Sequence, residues 1–150
     1  MHINDIVRNE EKLYRSVRCE IEYDEYSIND TGEYIIQPAA FRDRNKQPSV
    51  DRAKLRDFNP SLSKLSGTDG IVSLITGEVR CLPKNDIELT DHTIDVVYMP
   101  TMENPAHSQI MITPKSSISK TRTKKAFKSL QKALARLANL KGWALKPNTR

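Results

Sequence analysis

From residue 119 to residue 141 the apolar side chains Phe127, Leu130, Leu134 and Leu137 recur at a 3-4-3 spacing, while Lys124, Lys128, Lys132 and Arg136 return at every fourth position. Each helical residue turns the chain by about 100°, so the two sets fall on opposite arcs and predict one long amphipathic helix. Ser117, Ser119 or Thr121 stands where an N-cap is needed, and Gly142 stands where such a helix ends.

Ahead of that helix the pattern is that of strands and turns. Residues 94–99 and 108–113 are rich in β-branched and aromatic side chains and predict two strands side by side, joined through 100–107. Residues 12–21 read as a first strand and 34–37 as a short one, after which Pro38 keeps 38–41 extended. Between those strands, 22–32 carry acids, Asn29-Asp30 and Gly32, which is loop chemistry. Pro48-Ser49-Val50-Asp51 predicts a short helix start, with Ser49 as cap, Asp51 at its positive end and Asn59-Pro60 beyond its end. Ser61, Thr68 and Asp69 are further cap candidates. Residues 70–76 fit a short helix or a buried strand equally well.

These elements predict an α+β fold, a small mixed or antiparallel sheet with short helices and one long basic amphipathic C-terminal helix. With 150 residues and no internal repeat or long linker, residues 1–150 are expected to form a single domain.

Charge changes this picture because it is unevenly distributed. The last acid is Glu103, and eleven basic residues lie between Lys115 and the end. Residues 1–114 therefore carry 13 basic against 19 acidic residues, an acidic α+β body, while 115–150 form a basic helix and tail. Such asymmetry points to a polyanionic or acidic partner. No run approaches the roughly 18 apolar residues of a membrane helix and no signal-peptide pattern opens the chain, so a cytoplasmic protein without membrane contact is expected. Cys19 and Cys81 stand far apart without ligand-spaced neighbours, and the five glycines form no phosphate loop, so no metal, disulfide or cofactor is expected.

Three constellations carry candidate chemistry. The basic helix offers Lys120, Arg122, Lys124, Lys125, Lys128, Lys132 and Arg136 to a nucleic acid or an acidic protein, because a row of cations releases counterions from a phosphate backbone. The opposing reading is a solvated face, or one paired with the acidic body. His107, after Asn104-Pro105, enters a predicted strand, where an imidazole suits proton transfer or phosphate contact, or merely holds a turn. Arg42, Arg44 and Arg52 flank the predicted helix start as an anion pocket, against the plainer reading of surface ion pairs.

The sets Leu13-Tyr14-Arg15, Ala40-Phe41-Arg42-Asp43, Pro48-Ser49-Val50-Asp51-Arg52-Ala53 and Asn104-Pro105-Ala106-His107 resemble a group of small bacterial proteins that share this pattern over roughly 12–113. The resemblance singles out Arg15, Phe41, Ser49, Asp51 and His107. A looser likeness, in the order Tyr14-Arg15, Phe41, Ser49, is to the NAD-splitting enzymes related to ADP-ribosyltransferases. It implies that Arg15 holds a pyrophosphate, Ser49 supports the nicotinamide end and His107 assists the leaving group. The leading expectation is a non-enzymatic accessory or adaptor protein that works through the basic helix; the alternative is a small enzyme acting on NAD or a related nucleotide through Arg15, Ser49 and His107. Convergence of those three side chains on one cleft favours the enzyme.

Overall fold

The computed structural model describes residues 5–148. Its first strand, β1 (Lys12–Val17), sends Leu13, Arg15 and Val17 to one side and Tyr14 and Ser16 to the other, as the pleat requires. β2 (Tyr26–Ile28) and β3 (Tyr34–Ile36) form a separate antiparallel hairpin around the tight turn at Asn29–Gly32. β4 (Ser49–Arg52), β5 (Gly70–Ile75), β6 (His92–Tyr98), β7 (His107–Pro114) and β8 (Trp143–Leu145) join β1 in a six-stranded sheet of order β6-β7-β4-β1-β5-β8. Every neighbouring pair in it is antiparallel. Two short helices, α1 (Thr76–Arg80) and α2 (Leu82–Asn85), follow β5, and α3 (Lys120–Lys141) crosses one face of the sheet. The fold is α+β.

Alternation decides which side of the sheet is core. Leu13, Val17, Val50, Val72, Leu74, Ile94, Val96 and Ile110 pack against Phe127, Leu130, Ala133, Leu134 and Ala138 of α3. Burying a Leu or Phe stabilises by about 1.5–3 kcal/mol, so the apolar arc of α3 is a large part of the core and not an appendage. Ser119 caps α3 by accepting from the Arg122 N–H, and Gly142 ends it at φ 78°, a left-handed conformation glycine adopts without strain. The chain then turns back as β8 along β5. Gly70 meets it so closely that a Cβ there would lie 2.7 Å from the Trp143 ring.

The expected helix after Pro48 is not formed. Residues 49–52 are β4, and a single 3-10 turn, Ala53–Arg56, follows. Pro48, Ser49 and Asp51 make a good local capping signature, but pairing with both β1 and β7 satisfies the same backbone groups and buries Val50 and Arg52 as well. Residues 38–41 likewise form a 3-10 turn, Pro38–Phe41, with the proline at its start, instead of continuing extended. The undecided stretch 70–76 is strand β5, buried on both faces up to Leu74. Part of the expected loop 22–32 is strand β2.

Candidate functional site

On the face turned away from α3, residues opposite one another in the ladders form a polar row. His107 of β7 pairs with Asp51 of β4, Asp51 with Tyr14 of β1, and Tyr14 with Ser73 of β5. Ser49 lies two residues from Asp51 on the same face. Tyr14, Ser49, Asp51 and His107 floor a cleft of about 700 Å³, walled by residues 62–66 and Asp69, by Glu20, Tyr23 and Glu25, and by Asn104. Such a volume suits a small organic ligand.

The cleft opens where two strands part. β1 and β4 pair only at Leu13–Arg52 and Tyr14–Asp51. One residue further, the Arg15 guanidinium replaces the missing ladder: Nη1 donates to the Ser49 carbonyl at 2.7 Å, Nε to Ala40 at 2.6 Å and Nη2 to Arg42 at 3.0 Å. Its plane also lies over the Phe41 ring, 5.6 Å from the centroid. Burial pushes its pKa down while Glu25 and Asp43 pull it back up. Arg15 is thus a strut that holds the 38–49 segment on β1, with each guanidinium nitrogen already committed.

Asp51 is held from three sides. Ser63 Oγ and Arg56 Nε donate to its Oδ2 at 2.7 and 3.1 Å, and Asn104 Nδ2 donates to its Oδ1 at 2.8 Å. Arg56 also donates to Asn104 Oδ1 at 2.6 Å, closing the ring. On the opposite wall, Glu25 accepts from the Arg18 N–H at 3.0 Å. Burial raises its pKa, opposed by that bond and by Arg15, Arg42 and Arg18. Arg18 stacks over Tyr23 at 4.4 Å, and Arg42 donates to the carbonyls of Ala39 and Tyr23. Asp69 accepts from Ser16 Oγ at 2.7 Å.

Against this fixed frame, the floor groups Tyr14 hydroxyl, Ser49 hydroxyl and His107 imidazole have no hydrogen-bond partner among the described residues, and in the wall the Tyr23 hydroxyl and the Glu20 carboxylate likewise have none. Burial raises the Tyr14 pKa, so its hydroxyl stays a neutral donor. Asp51, Arg15 and Glu25 are thus tied into the frame, while Tyr14, Ser49 and His107 keep free polar ends on the floor. That division can bind a polar ligand and move a proton at His107.

The three residues Arg15, Ser49 and His107 do converge on this cleft, although Arg15 builds its wall. The other arginine set does not assemble. Arg42 lines the cleft, but Arg44 is exposed outside it, and Arg52 is fully buried on the core side. There Arg52 grips both carboxylate oxygens of Glu11 at 2.8 and 2.9 Å and lies 4.6 Å from the centroid of the Tyr98 ring. Burial pulls the Glu11 pKa up, but Arg52, the Arg8 N–H and Lys54 outweigh it and hold the carboxyl below its ordinary range. With β4 a strand, there is also no helix N-terminus at Ser49 for an anion to meet.

On α3, Lys120, Arg122, Lys124, Lys125, Lys128, Lys132 and Arg136 are all exposed, on the far side of the sheet from the cleft. Sequence reasoning missed Glu25, which lies in a stretch that reads as loop, and the bracing of Asp51 by Arg56, Ser63 and Asn104. Only the Asn104-Pro105-Ala106-His107 motif hinted at the latter. Among the described residues no group of three His, Cys, Asp or Glu is placed to hold a metal ion, and no helix is long and apolar enough to cross a membrane. No protein-family model, no curated protein and no solved structure matches the chain.

Proposed function

We propose that this protein is a small enzyme acting on a nucleotide, an NAD-like phosphate compound, in the cleft over β1, β4 and β7. The observation that carries the reading is the convergence of Tyr14, Ser49 and His107, each with a free polar end, on the floor of one cleft. An adaptor working through α3 alone gives no reason for such an arrangement on the other face of the sheet.

In this reading His107 exchanges the proton with the reacting group, and Ser49 and Tyr14 orient the substrate by hydrogen bonds. Arg18, Arg56 and Lys64, which line the cleft, supply positive charge for phosphate. Tyr23, Leu62 and Leu65 offer apolar surface to a planar ring. Arg15 takes no part in holding a pyrophosphate; it keeps the cleft open.

The test is incubation of the protein with NAD, its reduced form and ATP, with products separated by chromatography, for the parent, His107→Ala and Ser49→Ala. Turnover that falls by about 10²-fold or more in His107→Ala, with the melting temperature kept, supports the reading. No turnover and no ligand-induced rise in melting temperature with any of the three overturns it.

A further inference from the structure

The basic residues of 115–150 are not equivalent once the fold is known. Near each end of α3 one cation is met by the acidic body: Arg122 bonds Asp91, and Lys141 lies 3.3 Å from Glu78. Beyond the helix, Lys146 sits 5.6 Å from the centroid of the Tyr34 ring. Between those ends, Lys124, Lys125, Lys128, Lys132 and Arg136 are exposed and, among the described residues, meet no carboxylate. The acidic body therefore compensates Arg122 and Lys141 and leaves the middle of the helix as an uncompensated positive face.

We infer that this face binds duplex DNA through its phosphate backbone. Lys124, Lys128, Lys132 and Arg136 rise about 6 Å from one to the next and turn about 40° at each step, an inclined row about 18 Å long on a helix fixed by the core beneath it. A rigid row of cations suits a rigid, regularly charged polyanion, because little order has to be imposed on either partner. A single strand is a poorer fit. Its binders add aromatic platforms on which bases stack, and the one aromatic residue of α3, Phe127, is buried in the core. Contacts of this kind position a duplex without reading its sequence. The inference is independent of the cleft, which lies on the opposite face of the sheet.

The experiment is a fluorescence-anisotropy titration of a labelled random-sequence DNA duplex with the full chain at several salt concentrations. The same titration is run on Lys124→Glu/Lys128→Glu, on Lys124→Gln/Lys128→Gln, and on Arg44→Glu/Lys84→Glu. The last pair is exposed and off α3, and it changes the net charge by the same amount as the first. Five engaged cations predict a log-log salt slope of about −4.5 for the parent. Reversal on α3 lowers that slope by about 2 and weakens binding by about tenfold or more at moderate salt. The glutamine pair gives the same fall in slope with a smaller loss of affinity, and the off-helix pair keeps most of the parent's binding.

Equal loss in the on-helix and off-helix reversals overturns the inference, since only overall charge would then matter. So does the absence of salt-dependent binding by the parent. Tighter binding of polyglutamate or of single-stranded DNA than of the duplex overturns it in favour of an acidic protein or a single strand. The melting temperature of each variant is measured alongside, and it holds near the parent's because the substituted side chains are exposed.

Discussion

Asn104 Nδ2 donates to Asp51 Oδ1 at 2.8 Å, joining the loop before β7 to the middle of β4. The same amide's oxygen accepts from Arg56 Nη2 at 2.6 Å and from the Ala106 N–H at 3.1 Å, so one side chain fixes both the carboxylate in the cleft floor and the turn that delivers His107.

Asn104→Ala therefore leaves a nearly buried carboxylate short of a donor and releases the turn, at a cost of about 1–3 kcal/mol in urea unfolding. Because Asn104, Asp51 and Arg56 form one network, the cost of Asn104→Ala together with Asp51→Ala falls short of the sum of the single changes by about 0.5 kcal/mol or more. Strict additivity in the double-mutant cycle counts against a shared network.

Arg15 behaves as a structural residue. Arg15→Ala strands three carbonyls at the parting of β1 and β4 and lowers stability by about 2–4 kcal/mol. Arg15→Lys recovers little, because an ammonium lacks the planar fork that reaches three acceptors at once. A variant that melts with the parent yet loses ligand binding contradicts this role.

His92 is 2% exposed, and neither of its ring nitrogens has a hydrogen-bond partner among the described residues. Burial lowers its pKa below the ordinary histidine value. The unfolded chain therefore takes up this proton more readily. The stability that comes from keeping the ring neutral is whole above about pH 6.5 and is lost as the pH falls toward the folded value. His92→Leu removes two unsatisfied nitrogens, so it stabilises the protein by about 1–2 kcal/mol at neutral pH and flattens the dependence between about pH 5 and 7. Urea titrations of parent and variant across that range check both the sign and the window; a parent that gains stability on acidification there refutes the assignment.

What could be read from the sequence was what local pattern determines. Phe127, Leu130 and Leu134 declare the buried arc of α3 by spacing alone, and the two strands around 94–99 and 108–113 are adjacent in the chain and pair as a hairpin. Ser49 was misread because its proline, hydroxyl and following acid make a sound helix start. Only the pairing of Asp51 with His107 and Tyr14, remote in sequence, overrides that signal. The cleft lay hidden for the same reason, since its floor is a row across strands rather than a run along one. Glu25 was missed because a buried carboxylate in a polar, turn-rich segment looks like any solvated acid. Trp143–Leu145 is too short to show a period; the close approach of Gly70 to Trp143 marks it only once the fold is in hand.

The strand order β6-β7-β4-β1-β5-β8 sets β1 in the interior of the sheet, between two strands that come later in the chain. On a ribosome, Leu13 and Val17 must wait uncommitted until Gly70–Ile75 has emerged. The face they share with Val72 and Leu74 then stays wet until Phe127, Leu130 and Leu134 arrive. Topologies built on such distant pairings fold slowly, in milliseconds to seconds, and expose sticky surface while they wait. The protein thus matures as one late event, and a nascent chain that stops short of α3 is a client for chaperones rather than a smaller version of the molecule.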